Sequence, residues 1–250
     1  MHDSEVRGML EWLEDGLSIA DSGIAVVTTL IVAVGVSIRP LRRRWQQRPE
    51  QIQKQQAEKL DQLGLGRPLE TIETALGKPH LLNRWQTVGD QSEDRIYRLP
   101  GAWVVLQAVK GAVAAYSITI TDSNLYYNTG KVTRGIVPVR LGRSMFTDAR
   151  TEGAADAFEI YAHFATFHRY YDYGSNAAGG QFIWLAFNPG GAGDFDGASG
   201  WDSQLRTARE RAAACDLSGI TINTIAICDW DLLPTMLDRG YYGPHPDFMR

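Results

Sequence analysis

Between Ser22 and Ile38 the chain reads SGIAVVTTLIVAVGVSI, seventeen residues without a charge. A helix needs about 17 to 25 mainly apolar residues to cross a hydrocarbon core of about 30 Å, so the run meets the lower bound. Leu17, Ser18, Ile19 and Ala20 extend it outward. Asp21 then falls near the interface, where a carboxylate is far less costly than at mid-depth. A buried core helix or the apolar part of a cleaved signal peptide would show a similar run. A signal peptide, however, has a basic leader and a small-residue cleavage site. This leader holds Asp3, Glu5, Glu11, Glu14, Asp15 and Asp21 against Arg7 alone, and the run ends in Arg39, Pro40, Leu41, Arg42, Arg43, Arg44 and Arg48. That is a stop-transfer pattern, and residues 22–38 are read as a transmembrane helix.

Basic residues within about 15 to 20 positions of a span are retained on the cytoplasmic side. The expectation is therefore a membrane-anchored protein with its amino terminus outside and its carboxyl-terminal domain cytoplasmic. Two cysteines, Cys215 and Cys228, are too few for a disulfide scaffold, which agrees with a reducing compartment. Arg39, Arg42, Arg43 and Arg44 also suit anionic headgroups, each adding about 1 kcal/mol of attraction close to the leaflet, so the lipid bilayer is the first expected partner. Residues 1–21 form an acidic leader in which Val6, Leu10, Leu13 and Leu17 mark one helical face. Residues 39–62 follow the span as a basic juxtamembrane segment and a glutamine-rich stalk, expected to be a solvated helical spacer.

Residues 63–250 are the length of one average domain. The pattern predicts a helix over GRPLETIETALGKPH, with Pro68 at its start and Gly77 and Pro79 at its stop. DRIYRL, AWVVLQAV and VAAYSITIT, parted by Pro100-Gly101 and Lys110-Gly111, read as a three-stranded antiparallel meander. The middle strand is apolar on both alternating faces and should be covered on both sides. VPVRLG reads as a short edge strand around Pro138. ADAFEIYAHFATFHRYYDYG fits a helix or a strand equally well. QFIWLAF should be a buried strand, NPGGAGDFDGASG a loop, SQLRTARERAAA a helix and GITINTIAICDW a last strand. The fold class is α+β, an antiparallel sheet with several helices.

The order of spanning helix, basic flank, short helix ending LGKPH, hairpin ending AAYSITITD and the segment RYYDYGSNAAGGQFIWLAFNPGG resembles an uncharacterised group of bacterial membrane-anchored proteins. LETIETALGKPH followed by strands is also similar to the helix-then-hairpin unit of small outer-membrane assembly lipoproteins of the small protein A type, which are binding modules. These likenesses imply an α+β domain anchored in a bacterial inner membrane and, by analogy, a protein partner at the membrane.

Sequence motifs for chemistry are incomplete. Gly197-Ala198-Ser199-Gly200 has the wrong spacing for a nucleophile elbow. Thr129-Gly130-Lys131-Val132-Thr133 lacks the upstream glycine of a P-loop and the Ser or Thr directly after its lysine. Gly191-Ala192-Gly193 lacks the third glycine of a dinucleotide fingerprint. Asp194, Asp196 and Asp202 share a glycine-rich loop that could hold a hard cation, although aspartate is also a turn residue. His163 and His168, five apart, share neither a helix face nor a strand face. No cofactor or metal is expected, and scattered basic residues exclude nucleic acid. The expected activity is a non-enzymatic binding or interaction module, with His168, Tyr171, Tyr173, Asn188, Asp194 and Asp196 as ligand-binding candidates. The alternative is a membrane-tethered hydrolase with its site between the Tyr and His segment 161–173 and the loop 188–202.

Overall fold

The computed structural model describes residues 50–87, 90–160, 164–173, 180–196, 207–229, 243–245 and 249. The acidic leader, the 22–38 segment and Arg39, Arg42, Arg43 and Arg44 lie outside the described residues. Among those described, no helix is long and apolar enough to cross a membrane. The chain divides after Ile52, and the second unit, Gln53–Arg250, holds the fold that follows.

Its centre is an eight-stranded sheet in the order β1-β2-β3-β4-β10-β9-β8-β7, with every neighbouring pair antiparallel. The strands are β1 (Leu81–Thr87), β2 (Asp90–Leu99), β3 (Ala102–Val109), β4 (Ala112–Ile120), β7 (Ala154–Ile160), β8 (Ala165–Tyr173), β9 (Gln181–Ala186) and β10 (Thr224–Asp229). The expected meander is β2-β3-β4, and β1 extends it. Lys110 and Gly111 both have left-handed φ, 53° and 77°, the pair of conformations that a tight hairpin turn compatible with strand twist requires. The ambiguous aromatic stretch is two strands, β7 and β8. Alternation prevailed there because Phe158, Phe167 and Tyr171 all join one core.

Antiparallel register separates two faces. The first carries Tyr97, Leu106, Tyr116, Ile118, Ile183, Leu185, Ile225 and Ile227 in a large apolar core. Three helices pack on this side: α1 (residues 50–60), α2 (Leu69–Leu76) and α3 (Ala208–Ala213). So do β5 (Tyr127–Asn128) and β6 (Arg140–Leu141), a small separate sheet that accounts for VPVRLG. The second face is smaller and more polar, with Ala115, Phe182, Trp184, Ala226 and Cys228 as its apolar cluster. β3 is buried on both faces, as its sequence predicts.

Two elements differ from expectation for evident reasons. The glutamine-rich segment does not stay solvated to its end, because Gln56 and Leu60 are buried and Leu60 belongs to the main core. The helix expected over SQLRTARERAAA begins at Ala208, since Thr207 is extended and caps it: the Thr207 hydroxyl accepts from the Glu210 N–H, and the Glu210 carboxylate accepts from the Thr207 N–H. Residues 203–206 lie outside the described residues. Cys215 packs on the first-face core and Cys228 sits in the second-face cluster, so both are free with the sheet between them. Pairing them is geometrically barred, and their reduced state therefore says nothing about compartment.

Candidate ligand-binding site

The six residues singled out from sequence do not meet in one place. His168 lies opposite Ala186 on β9 and belongs to the second face, whereas Tyr171 and Tyr173, at odd spacing from it, belong with the first. Tyr171 is buried, donates its hydroxyl to the Arg150 carbonyl at 2.6 Å and stacks on Tyr173 at 5.9 Å. Asp194 and Asp196 are exposed. Between them Phe195 turns inward to stack on Phe187 at 4.5 Å and on Phe158 at 5.9 Å, which turns the neighbouring carboxylates outward. Among the described residues no three His, Cys, Asp or Glu side chains converge as a metal site would require.

His168 is 2% exposed. Burial lowers its ring to about 4, against the opposing pull of Glu159 and Asp156. The ring is therefore neutral when folded, while in the unfolded chain it protonates below about 6.5. Between those values the unfolded state binds more protons, so stability falls as pH drops from 6.5 towards 4. The full window is worth roughly 3 kcal/mol. Urea midpoints of the wild type should decline between about pH 6.5 and 5, and those of His168→Gln should decline distinctly less. Parallel curves would show that His168 is not the group responsible.

Asn188 is structural. It is buried at the end of β9, and its N–H donates to the Asn223 Oδ1 at 2.7 Å. The Asn223 Nδ2 donates back to the carbonyls of Asn188 at 2.9 Å and Ala192 at 3.1 Å. The Asn188 Nδ2 in turn donates to the Pro244 carbonyl at 3.1 Å. The glycines beside it serve this knot. A Cβ at Gly191 would lie 2.5 Å from the Asn223 Nδ2, and one at Gly193, whose φ is 104°, would lie 2.5 Å from Thr221. The run NPGGAG is thus a close backbone crossing over the segment that leads into β10.

A cavity of about 220 Å³ opens on the first face, lined by Asp61, Leu63, Gly64, Leu65, Arg67, Tyr116, Lys131, Val132, Arg134, Gln181 and Ile227. Three features of the chain assemble it. The segment after α1 supplies Asp61 and Arg67. β4, β9 and β10 supply Tyr116, Gln181 and Ile227 as a floor. The turn at 129–135 supplies Lys131 and Arg134. This turn closes on itself through the Thr133 N–H to Thr129 carbonyl bond at 2.9 Å and the Gly135 N–H to Gly130 carbonyl bond at 2.6 Å. Buried Thr129 pins it, accepting from the Val139 N–H at 2.9 Å and donating to the Val137 carbonyl. Arg134 has a left-handed φ of 52°, uncommon for a residue with a Cβ outside such constrained positions.

The polar lining is uneven in how it is satisfied. Asp61 bridges two donors, Lys131 Nζ at 2.8 Å and the Tyr127 hydroxyl at 2.9 Å. Arg67 donates to the Gln62 carbonyl at 2.8 Å and its side-chain oxygen at 3.1 Å. Tyr116 is 1% exposed, yet among the described residues its hydroxyl has no hydrogen-bond partner. Burial pushes that hydroxyl far above the ordinary tyrosine range, only partly offset by Arg67 and Arg134, so it remains a donor at any physiological pH. The hydroxyl oxygen is not sealed from solvent and borders the cavity, where a ligand can reach it. No local motif announces this site, because its residues come from five separated stretches of chain. Of these, only Lys131 and Val132 lie in a segment that comparison with the phosphate-loop pattern singles out. No family model matches the chain, and neither the curated proteins nor the solved structures contain a match.

Proposed function

We propose that this chain is a single-pass membrane-anchored binding module, in which Ser22–Ile38 spans the bilayer and the α+β domain on the cytoplasmic side holds a small ligand. The observation that carries the reading is the preformed cavity on the first sheet face, walled by rigid elements and bordered by the unpartnered hydroxyl of Tyr116. Ligand sites are concave, few and equipped with a handful of convergent polar groups, and this one has them. At about 220 Å³ it is smaller than the roughly 300–1,000 Å³ typical of drug-sized ligands, which points to a compact ligand and away from a dinucleotide or haem. The hydrolase alternative draws no comparable support, since His168 and Tyr171 belong to opposite faces and Asp194 and Asp196 are solvent-exposed.

The two halves of the reading are tested separately. A carboxyl-terminal alkaline phosphatase fusion should be inactive in intact cells, and an active one would invert the topology. A thermal-shift screen of small metabolites against the full chain in detergent should find compounds that stabilise it, as any ligand of the native state must. Val132→Trp, which puts an indole into the cavity lining, should abolish those shifts. Shifts that survive in the tryptophan variant would place the ligand elsewhere.

A further inference from the structure

Resting on the reading of the cavity as the ligand site, we infer that its occupant is a doubly charged tetrahedral oxyanion: a phosphate, or the phosphomonoester end of a larger molecule. The lining carries three cations, Arg67, Lys131 and Arg134, against one carboxylate, Asp61. Asp61 is already engaged by Lys131 and the Tyr127 hydroxyl. Among the described residues neither Arg67 nor Arg134 has a carboxylate partner. The lining thus includes two guanidinium groups from different stretches of chain that have no carboxylate partner among the described residues, Arg67 half-buried on Gln62 and Arg134 exposed. A neutral ligand would leave both unneutralised and a monocarboxylate would leave one. A dianion matches them both, and the planar guanidinium fork suits phosphate oxygens bidentately. Tyr116 Oη, protonated and unpartnered at the cavity floor, supplies a further donor that no cation can replace, and an oxyanion with several acceptor oxygens is the ligand able to use it. The small volume fits the charged group itself, with any larger remainder projecting through the open mouth.

The same chemistry has two sources here, a soluble phosphate compound or the headgroup of an anionic phosphomonoester lipid in the membrane that the chain is proposed to span. The experiment uses the full chain in phosphatidylcholine nanodiscs, titrated calorimetrically with glycerol 3-phosphate, sulfate and glycerol. Both anions should bind at pH 7.5 and glycerol should not. Arg67→Gln and Arg134→Gln should each weaken the anions by about tenfold or more, the scale of one lost charge-assisted contact. Tyr116→Phe should weaken them severalfold without moving the thermal midpoint. Lowering the pH to 5.5 should loosen glycerol 3-phosphate, whose second ionisation lies near about 6, and leave sulfate unchanged. Repeating the titration in nanodiscs containing phosphatidate distinguishes the sources: lost binding of the soluble probe assigns the site to the headgroup, and retained binding assigns it to a soluble phosphate. Glycerol binding as well as the anions, or anion affinity indifferent to both arginine variants, overturns the inference. If the screened ligand still fails to bind Val132→Trp in that case, the cavity remains the ligand site and only its charge preference has been misread.

Discussion

Replacing Arg169 with alanine should destabilise the domain by about 3–5 kcal/mol, the range for removing one partner of a buried ion pair. Arg169 is 1% exposed at the centre of β8, on the first face. Its Nε and Nη2 reach the two oxygens of Asp156 on β7 at 2.6 and 2.7 Å, and Nη1 donates to the carbonyls of Phe146 at 2.9 Å and Ala149 at 3.1 Å. One side chain thereby ties two strands to the short turn Phe146–Asp148, whose Phe146 ring packs edge-on against Phe167 at 4.6 Å. Alanine leaves the Ala149 carbonyl and a partly buried carboxylate without donors, and the Phe146 carbonyl with the Ala149 N–H at 3.3 Å alone. For a domain of this size the loss corresponds to a thermal midpoint lowered by about 10 °C, readable by calorimetry. Arg169→Lys should recover little, because a point charge cannot satisfy a bidentate carboxylate and two carbonyls together. The double variant Arg169→Met with Asp156→Leu should be more stable than Arg169→Ala, since exchanging the whole pair for apolar groups removes the stranded charge. A single alanine variant within about 1 kcal/mol of wild type would mean that the pair is solvated in solution.

The second large effect is expected at Asn223. Alanine there removes the partner of the Asn188 N–H and of the Ala192 carbonyl, while the Asn188 carbonyl keeps the Gly191 N–H at 2.8 Å. Each unsatisfied group costs about 1–3 kcal/mol, for a total of about 2–6 kcal/mol. Gly191→Ala should also destabilise, because its new methyl would meet the Asn223 amide. The pair must then be non-additive. In an Asn223→Ala background the obstruction is gone, and Gly191→Ala should cost markedly less than in wild type. Chemical denaturation of the four proteins completes the cycle, and strict additivity would mean that the glycine serves some purpose other than clearance.

These positions show where sequence reasoning reaches and where it stops. The meander β2-β3-β4 was legible because each turn has its own chemistry: Lys110-Gly111 takes the left-handed pair, and Gly101 has a φ of 73° with a Cβ position 2.9 Å from Asp122. Helix α2 was legible from Leu69, Ile72 and Leu76, all buried, and from Gly77, whose φ of 86° ends it. The β7-β8 hairpin was not, since aromatic residues packed at every second and every third position satisfy both periods. The candidate site was legible least. Parity alone separates His168 from Tyr171 on a strand, but that argument needs the strand assignment first. The cavity needs more again, because Asp61, Tyr116, Lys131, Arg134 and Gln181 are neighbours only after β10 has been placed between β4 and β9. A lysine in a failed P-loop match and a tyrosine in a hydrophobic strand carry no joint signal along the chain.

That position of β10 also governs the order of assembly. Thr119 on β4 and Thr224 on β10 share a hydrogen bond at 2.9 Å although 105 residues separate them. The ribosome extends a chain at about 5–20 residues per second, so several seconds pass between the emergence of β4 and that of its partner. Throughout that interval β4 is an open edge, and VAAYSITIT is rich in the residues that pair promiscuously with other strands. Joining the two halves of the sheet is a non-local step and belongs to the slow end of folding. If Ser22–Ile38 anchors the chain as we propose, the nascent chain would wait out those seconds dispersed in two dimensions, and a version lacking that segment would wait them out free to aggregate.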